Sequence, residues 1–422
     1  MLQVISSAWA LLLGMLLLMV GNGLQGTLLG VRGEIEGFST FEMSLVMSAY
    51  FLGFLGGSRL APEMIRRVGH VRVFAALASF ISAVLILYPF VTHPVAWIIG
   101  RVIIGFCFSG VYVTAESWLN NASSNETRGQ TLSAYMIVQM TGVVAAQGLL
   151  VVADPSGYEL FIIISVLVSI SFAPILLSIS PTPAFDTTKP LSLRQLFGIS
   201  PLGCVGMFLL GGVFSAQFGM SAVYGAEAGL SLGQISLFVS AFYVGAVVVQ
   251  YPLGWLSDRM DRRLLILIAA AICGGGAVIG AVLGGLFPAL LVAAFLVGGM
   301  SNPLYSLLLA YTNDFLELDD MAAASGGMVF INGLGAIAGP LITGWAMGFF
   351  GPSGFFLYVG GLMFVLVAYA AYRSTVRAAT PVDETTSYAP VSPTASLVSV
   401  EFAQEYAAAE AEAEAENAEN AA

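Results

Sequence analysis

The sequence predicts an all-α membrane protein, with twelve transmembrane helices arranged as two six-helix bundles. Three observations lead there. The chain of 422 residues is 58% hydrophobic and only 9% charged, with a mean hydropathy of +0.90, whereas a water-soluble protein is roughly a quarter charged. Its apolar residues fall into twelve stretches, each near the length that a bilayer core of roughly 30 Å demands at about 1.5 Å rise per residue. The chain also repeats itself at a spacing of 192 residues: without a gap, Gly33, Gly37, Ser39, Ser44, Leu45, Ser48, Ala49 and Gly53 meet Gly225, Gly229, Ser231, Ser236, Leu237, Ser240, Ala241 and Gly245. The same offset carries Gln25 to Gln217 and Arg67 to Arg259.

The stretches run over residues 5–30, 42–61, 71–92, 95–118, 130–153, 158–179, 201–224, 231–256, 263–284, 286–310, 322–349 and 353–373, to within several residues at each end. Glycines and prolines inside them are compatible with membrane helices. The first stretch is not read as a signal peptide, because it lacks a basic leader, exceeds the length of such a core, and aligns with the seventh through Gln25 and Gln217. Six spans per half is an even number, so both halves enter from the same side. The repeat is therefore parallel, with its axis along the membrane normal, the arrangement of a two-bundle rocker.

The expected organisation is a first bundle over 1–180, a polar, Pro-containing linker over 181–200, a second bundle over 201–375 and an acidic tail over 376–422. The tail holds nine acidic residues and one basic, which accounts for most of the net charge of −11. It ends in an Ala/Glu run, Ala407–Ala422, and such a composition predicts disorder.

Basic residues set the orientation. Arg59, Arg66, Arg67, Arg72, Arg128, Lys189, Arg194, Arg259, Arg262, Arg263, Arg373 and Arg377 all fall on one side of a twelve-span chain, with Arg32 alone on the other and Arg101 inside a span. The positive-inside rule then places both termini in the cytoplasm of a multi-pass plasma-membrane protein, the inner membrane in a bacterium.

Other classes find little support. Cys107, Cys204 and Cys273 are scattered in apolar spans and His70 and His93 lie far apart, so no disulfide framework or metal spacing exists. No phosphate-binding loop and no Ser/His/Asp or Cys/His constellation is present. No enzyme activity, cofactor, metal or nucleic-acid partner is expected. The sequons at Asn121 and Asn125 fall on the cytoplasmic side and are read as chance matches.

After the eighth stretch comes Gly254-Trp-Leu-Ser-Asp258-Arg259-Met-Asp261-Arg262-Arg263. It resembles the loop signature of the major facilitator superfamily, Gly-x-x-x-Asp-Arg/Lys-x-Gly-Arg/Lys-Arg/Lys, departing from it at Asp261. The first-half copy is degraded: Pro62 and Arg66 stand where Gly and Asp are expected, Arg67 and Gly69 are kept, and Glu63 is the candidate replacement for the missing carboxylate. Arg101-Val-Ile-Ile-Gly105 resembles the family's Arg-x-x-x-Gly element. Val113-Thr-Ala-Glu116-Ser117-Trp118, Arg128-Gly129-Gln130 and Ala134-Tyr135-Met136 look like the YcaD-type branch. The resemblance covers about residues 1–375. It implies the major facilitator fold, a small-molecule substrate and a proton gradient as the driving force.

Arg101 carries two readings, a guanidinium that responds to a proton or substrate charge, or a fixed hydrogen-bond hub. Glu116 follows roughly 22 Å along the same helix, too far to pair with it. The nearer prospects for Glu116 are Arg128, Arg66 and Arg67. The resemblance implies a charge network there that latches the bundles in the outward-facing state. The other reading of Glu116 is a proton carrier, and neighbouring arginines would favour the latch by keeping the carboxylate ionised. Asp258, Arg259, Arg262 and Arg263 are gating candidates beside a bland role as topology anchors, with the acidic connection of Asp314, Glu317, Asp319 and Asp320 as acceptors.

Gln25 and Gln217 are the main substrate-contact candidates, since an amide facing lipid would leave its polar atoms unpaired. Asn22 shares the Gln25 face, and Tyr112 and Tyr305 form a second related pair at an offset of 193. Helix–helix hydrogen bonding is the competing reading for each.

The expected function is secondary transport of a small organic solute by alternating access, coupled to protons and directed outward, by a monomer in the lipid bilayer. The alternative is a non-transporting membrane sensor or assembly partner that acts through its acidic tail.

Overall fold

The computed structural model describes residues 2–122, 128–174, 191–316, 318–377, 380–381, 385, 388–393, 396 and 398–403. Helices α1 (Leu2–Ile35), α2 (Thr40–Val68), α3 (His70–Phe90), α4 (Pro94–Ala122), α5 (Arg128–Leu149) and α6 (Glu159–Ser171) form the first bundle. A short helix α7 (Leu193–Ile199) leads into α8 (Pro201–Glu227), α9 (Leu232–Ser257), α10 (Arg262–Leu283), α11 (Phe287–Asn313), α12 (Leu318–Phe350) and α13 (Gly354–Val376) of the second. Ten of these helices are long and apolar enough to cross a membrane. Helix α2 is set apart by Glu42, Arg59, Glu63, Arg66 and Arg67, and α6 by a described length of 13 residues. With an even number of spans, α1 starts and α13 ends on the same side, here termed the terminal face.

The 192-residue repeat is a repeated piece of backbone. Gly37 and Gly229 both take positive φ, 77° and 70°, a region that favours a residue without Cβ. Each closes the preceding helix in the same way. The Phe38 N–H donates to the Gly33 carbonyl at 2.8 Å, and the Leu230 N–H to the Gly225 carbonyl at 2.9 Å, the long-range bond of a Schellman cap. Two residues further on, Ser39 and Ser231 open α2 and α9 with reciprocal capping boxes to Glu42 and Gln234.

Later in the same helices, Gly53 and Gly245 admit the backbone of a neighbour. A Cβ on Gly53 would lie 2.0 Å from the Val102 carbonyl oxygen of α4, and one on Gly245 would lie 2.3 Å from the Phe295 oxygen of α11. Gly335 serves α12 likewise, with the Phe208 oxygen of α8 only 1.9 Å from where a Cβ would be.

Away from the terminal face the bundles close on one another. A Cβ on Gly30 would meet Ala222 Cβ at 2.8 Å, bringing α1 against α8. The Thr40 hydroxyl donates to Glu227. Ser48 donates to the Ile337 carbonyl at 2.6 Å, joining α2 to α12, and Ser236 donates to the Gln147 carbonyl at 2.6 Å, joining α9 to α5. Arg32, the exception to the charge bias, is a staple here. It pairs with Glu36 at 2.6 Å and donates to the Pro155 carbonyl at 2.9 Å, holding the α5–α6 loop.

Residues 175–190, the end of the first bundle and the first half of the linker, lie outside the described residues, and Leu193–Ile199 of the linker is helical: Ser192 and Gln195 form a capping box that opens α7. The tail departs from the disorder expected of it in its described part. Val391, Val398, Val400, Phe402 and Ala403 are buried, and residues 398–403 are helical. The apolar residues between Tyr388 and Phe402 have a composition distinct from the Ala/Glu run, and averaging over the whole tail conceals them. Residues 404–422 lie outside the described residues.

Gly53→Leu and Gly245→Leu are each expected to destabilise the detergent-solubilised protein by about 1–3 kcal/mol or more through overpacking. Gly148→Ala, where a Cβ has no neighbour within 4 Å, should leave stability unchanged or raise it. Thermal unfolding read by intrinsic fluorescence checks this, and equal midpoints for all three variants would contradict the close-approach account.

Candidate functional site

Inside the first bundle, the repeat-related amide of α1 meets the intramembrane arginine of α4. Arg101 is fully buried. Its Nη1 donates to Gln25 Oε1 at 2.8 Å, Gln25 Nε2 donates to Asn22 Oδ1 at 3.1 Å, and Asn22 Nδ2 donates to the Tyr112 hydroxyl at 2.9 Å. The guanidinium also lies over the Tyr50 ring of α2, 4.6 Å from its centroid. Arg101 Nε has no hydrogen-bond partner among the described residues. Burial of this cation is thus compensated by neutral acceptors and a π face. Asn22, Gln25, Tyr112 and Arg101, separate candidates in the sequence, form one connected cluster.

Gln217, the second repeat-related amide, is not part of it. It sits in a π turn of α8, Ala216–Met220, and its Nε2 donates to Ser301 Oγ of α11 at 2.8 Å. The widened turn breaks local equivalence with Gln25, whose helix is regular there, and such turns recur at functional sites.

An aromatic seam separates the two amides. Tyr50 and Phe218 approach across the bundle interface with ring centroids 5.9 Å apart, and Phe214 stacks on Phe218 at 5.9 Å. Together with Phe54, Tyr305, Asn332 and Pro393 they line a space of about 30 Å3, room for roughly one water. Tyr305 therefore belongs to the seam and not to the Asn22–Arg101 cluster. A larger groove of about 530 Å3 opens towards the terminal face between α5 and α9, lined among others by Met136, Met140, Gln250 and Asp258, and by Tyr388, Pro390 and Pro393 of the tail.

Glu116 is buried on α4. It accepts from the Tyr135 hydroxyl at 3.0 Å and from the Ser396 N–H at 3.0 Å, and the Ser396 hydroxyl donates to it as well. Arg66 and Arg67 do not reach it. Both pair with Glu63 on their own helix, Arg67 at 2.7 Å, and both are exposed. The Arg128 side chain lies outside the described residues. Arg66 and Arg67 are thus not brought to Glu116, because the exposed end of α2 supplies a nearer carboxylate to its own arginines.

The loop signature is organised within the second bundle. Arg262 is buried and pairs with Asp314 at the end of α11. It also donates to Ser257 Oγ at 3.1 Å and approaches Asp258 at 3.4 Å. Asp261 departs from the family's glycine for a visible reason: it caps α10, accepting from the Arg263 N–H at 2.9 Å, and pairs with the Arg263 side chain at 2.9 Å. Arg259 lies over Trp255, 4.4 Å from its centroid. Asp258 accepts from the Tyr388 N–H of the tail at 3.0 Å. Burial raises the pKa of the Tyr388 phenol, which stays a donor and gives its proton to the Pro303 carbonyl at 3.3 Å. Glu317 and the Asp319 side chain lie outside the described residues.

Sequence reasoning missed Tyr50, Ser301, Tyr135, Ser396 and Tyr388 as members of these arrangements. Tyr50 carries no pattern that separates it from ordinary aromatic lining, Tyr135 stands in the branch motif without any sign of its partner, and the contact of Ser396 with Glu116 spans 280 residues. Among the described residues no group of three or more His, Cys, Asp or Glu could hold a metal ion.

Comparison with known proteins accords with this architecture. The sequence model of the Major Facilitator Superfamily matches residues 11–227 and again 202–406. The chain is 24% identical over 357 residues to an uncharacterised MFS-type transporter of Yersinia pestis (strain Pestoides F), covering 84% of this chain and 92% of the relative. It is 26% identical over 362 residues to the uncharacterised MFS-type transporter YcaD of Escherichia coli (strain 536), with the same coverage. Among solved structures, a point mutant of the nucleoside transporter NupG superposes with a TM-score of 0.75 at 14% identity, over 87% of this chain and 99% of that one. The chain belongs to the Major Facilitator Superfamily, with the fold of a two-bundle secondary transporter in a membrane.

Proposed function

We propose that the protein exports a small amphipathic organic solute by alternating access, with the terminal face in the cytoplasm and the proton gradient as driving force. One observation carries the reading: the buried Asn22–Gln25–Arg101 cluster shares Tyr50 with an aromatic seam between the bundles. A solute there would hydrogen-bond to neutral amides and an arginine that has a spare donor, and would lay a planar part against Tyr50 and Phe218. Gln217, Tyr305 and Asn332 would complete the contacts from the second bundle.

Export is supported by the groove between α5 and α9. Its outer wall includes the exposed Val247, Tyr251 and Trp255, which suits entry of an amphipathic solute from the lipid. Proton coupling would run through Glu116. Its partners among the described residues, Tyr135 and Ser396, are neutral, so at those contacts it can take up or lose a proton without breaking an ion pair. Arg66 and Arg67, engaged with Glu63, do not hold it ionised. The clustered basic residues on the terminal side support the orientation.

A thermal-shift screen of purified protein against a solute library, followed by uptake into proteoliposomes, identifies the solute and tests the reading. No stabilising ligand and no gradient-dependent flux would count against it. With a solute in hand, Arg101→Lys should lower transport kcat/KM at least about tenfold, since a hydrogen bond to a charged group is worth about 1.5–3 kcal/mol and each 1.4 kcal/mol is tenfold. Unchanged transport would leave Arg101 a structural hub. Glu116→Gln should abolish acceleration by a pH gradient while preserving solute exchange at equal pH. Retained gradient dependence would remove Glu116 as the carrier.

A further inference from the structure

The described tail residues lie across the mouth of the terminal face, between the two bundles. On the second bundle, the Tyr388 N–H donates to Asp258 at 3.0 Å, and its hydroxyl accepts from Gln250 Nε2 at 2.8 Å. The Tyr388 ring occupies the space that a Cβ on Gly254 would fill, 2.8 Å away. Ser306 of α11 grips the tail backbone twice, donating to the Val391 carbonyl at 3.0 Å and accepting from the Val391 N–H at 2.8 Å. On the first bundle, Ser396 gives both its N–H and its hydroxyl to Glu116, and Phe402 packs beside Leu119 and Tyr135. Pro393, between these two anchorages, lines both the aromatic seam and the groove.

We propose that the segment containing Tyr388, Val391, Pro393, Ser396 and Phe402 is a tethered plug that blocks the solute path at the terminal face and must leave it for transport to proceed. Three features support a plug over a passive surface strand. It makes hydrogen bonds to both bundles, so it can dock only while their separation on this face is the one seen here. It satisfies a carboxylate and a hydroxyl that solvent or solute would otherwise meet. It also reaches the candidate site itself. Attached through a short connection to α13, it competes with solute at an effective concentration on the order of millimolar, which a free peptide would rarely match.

The plug rests on the alternating-access reading for its consequence, but its docking is testable without a solute. Val329 lines the same space as Pro393. Val329→Cys in nanodisc-reconstituted protein, labelled with a bulky hydrophilic maleimide, reports whether the mouth is covered. The buried Cys273 serves as the reference for intact folding. Deleting residues 386–422 is expected to raise the labelling rate at least about tenfold, because an undocked state of the full chain would be a minor population of roughly 10% or less. Tyr388→Ala with Ser396→Ala in the full-length chain should raise it in the same direction, with Cys273 still protected. Equal labelling rates in the parent, the truncated chain and the double variant would overturn the proposal. Faster labelling with no flux of any solute would uphold the plug while the transport reading failed. Faster labelling with faster exchange of an identified solute would uphold both.

Discussion

An apolar slab leaves no water to satisfy a buried polar group, so each such group must find its partner within the protein. That constraint organises the interior. Arg101 is the costliest case, a cation buried on all sides, and its guanidinium draws the Gln25 amide and the Tyr50 ring into a fixed arrangement. The Gln25 amide then holds Asn22, which holds Tyr112. The same rule applies to Glu116, but its partners come from Tyr135 and from a segment outside the helical bundles.

The two halves share a scaffold and differ in what it carries. Equivalent Schellman turns, capping boxes and glycine contacts fix how α2 and α9 begin and how closely they lie on α4 and α11. Those features are local, set by the glycines and by short-range side-chain caps, and one sequence pattern encodes them twice. The contacts of the buried polar residues do not repeat. Arg101 has no basic counterpart at the equivalent place on α11, and Gln217 is displaced by a π turn towards Ser301. A symmetric frame with an asymmetric interior suits a rocking carrier: the frame provides two equivalent bodies, and the unequal lining gives the solute a preferred orientation.

The loop signature joins this scheme through the second bundle. Asp258 and Arg262 secure the junction of α9, α10 and α11, and Asp258 also receives the tail at Tyr388. The first-half copy of the loop, with Arg66 in place of the aspartate, pairs with Glu63 at its own helix end and holds no tail segment among the described residues. Loss of the aspartate in one copy and its retention in the other thus correspond to different contacts.

The sequence by itself determined the spans, the two bundles, the glycines that recur at the repeat spacing and the identity of the polar residues in apolar helices. Composition, length and local periodicity are enough for those, because lipid imposes the same demand on every span. Asn22 and Gln25 were legible as one helix face because three residues separate them. Only the tertiary structure decided which buried groups meet. That Arg101 finds Gln25, that Gln217 finds Ser301 and that Ser396 reaches Glu116 all depend on helix spacing and rotation. A one-dimensional pattern does not specify these. The tail was least legible, since its apolar residues are too few to form a core of their own and become buried only against surfaces that the two bundles create together.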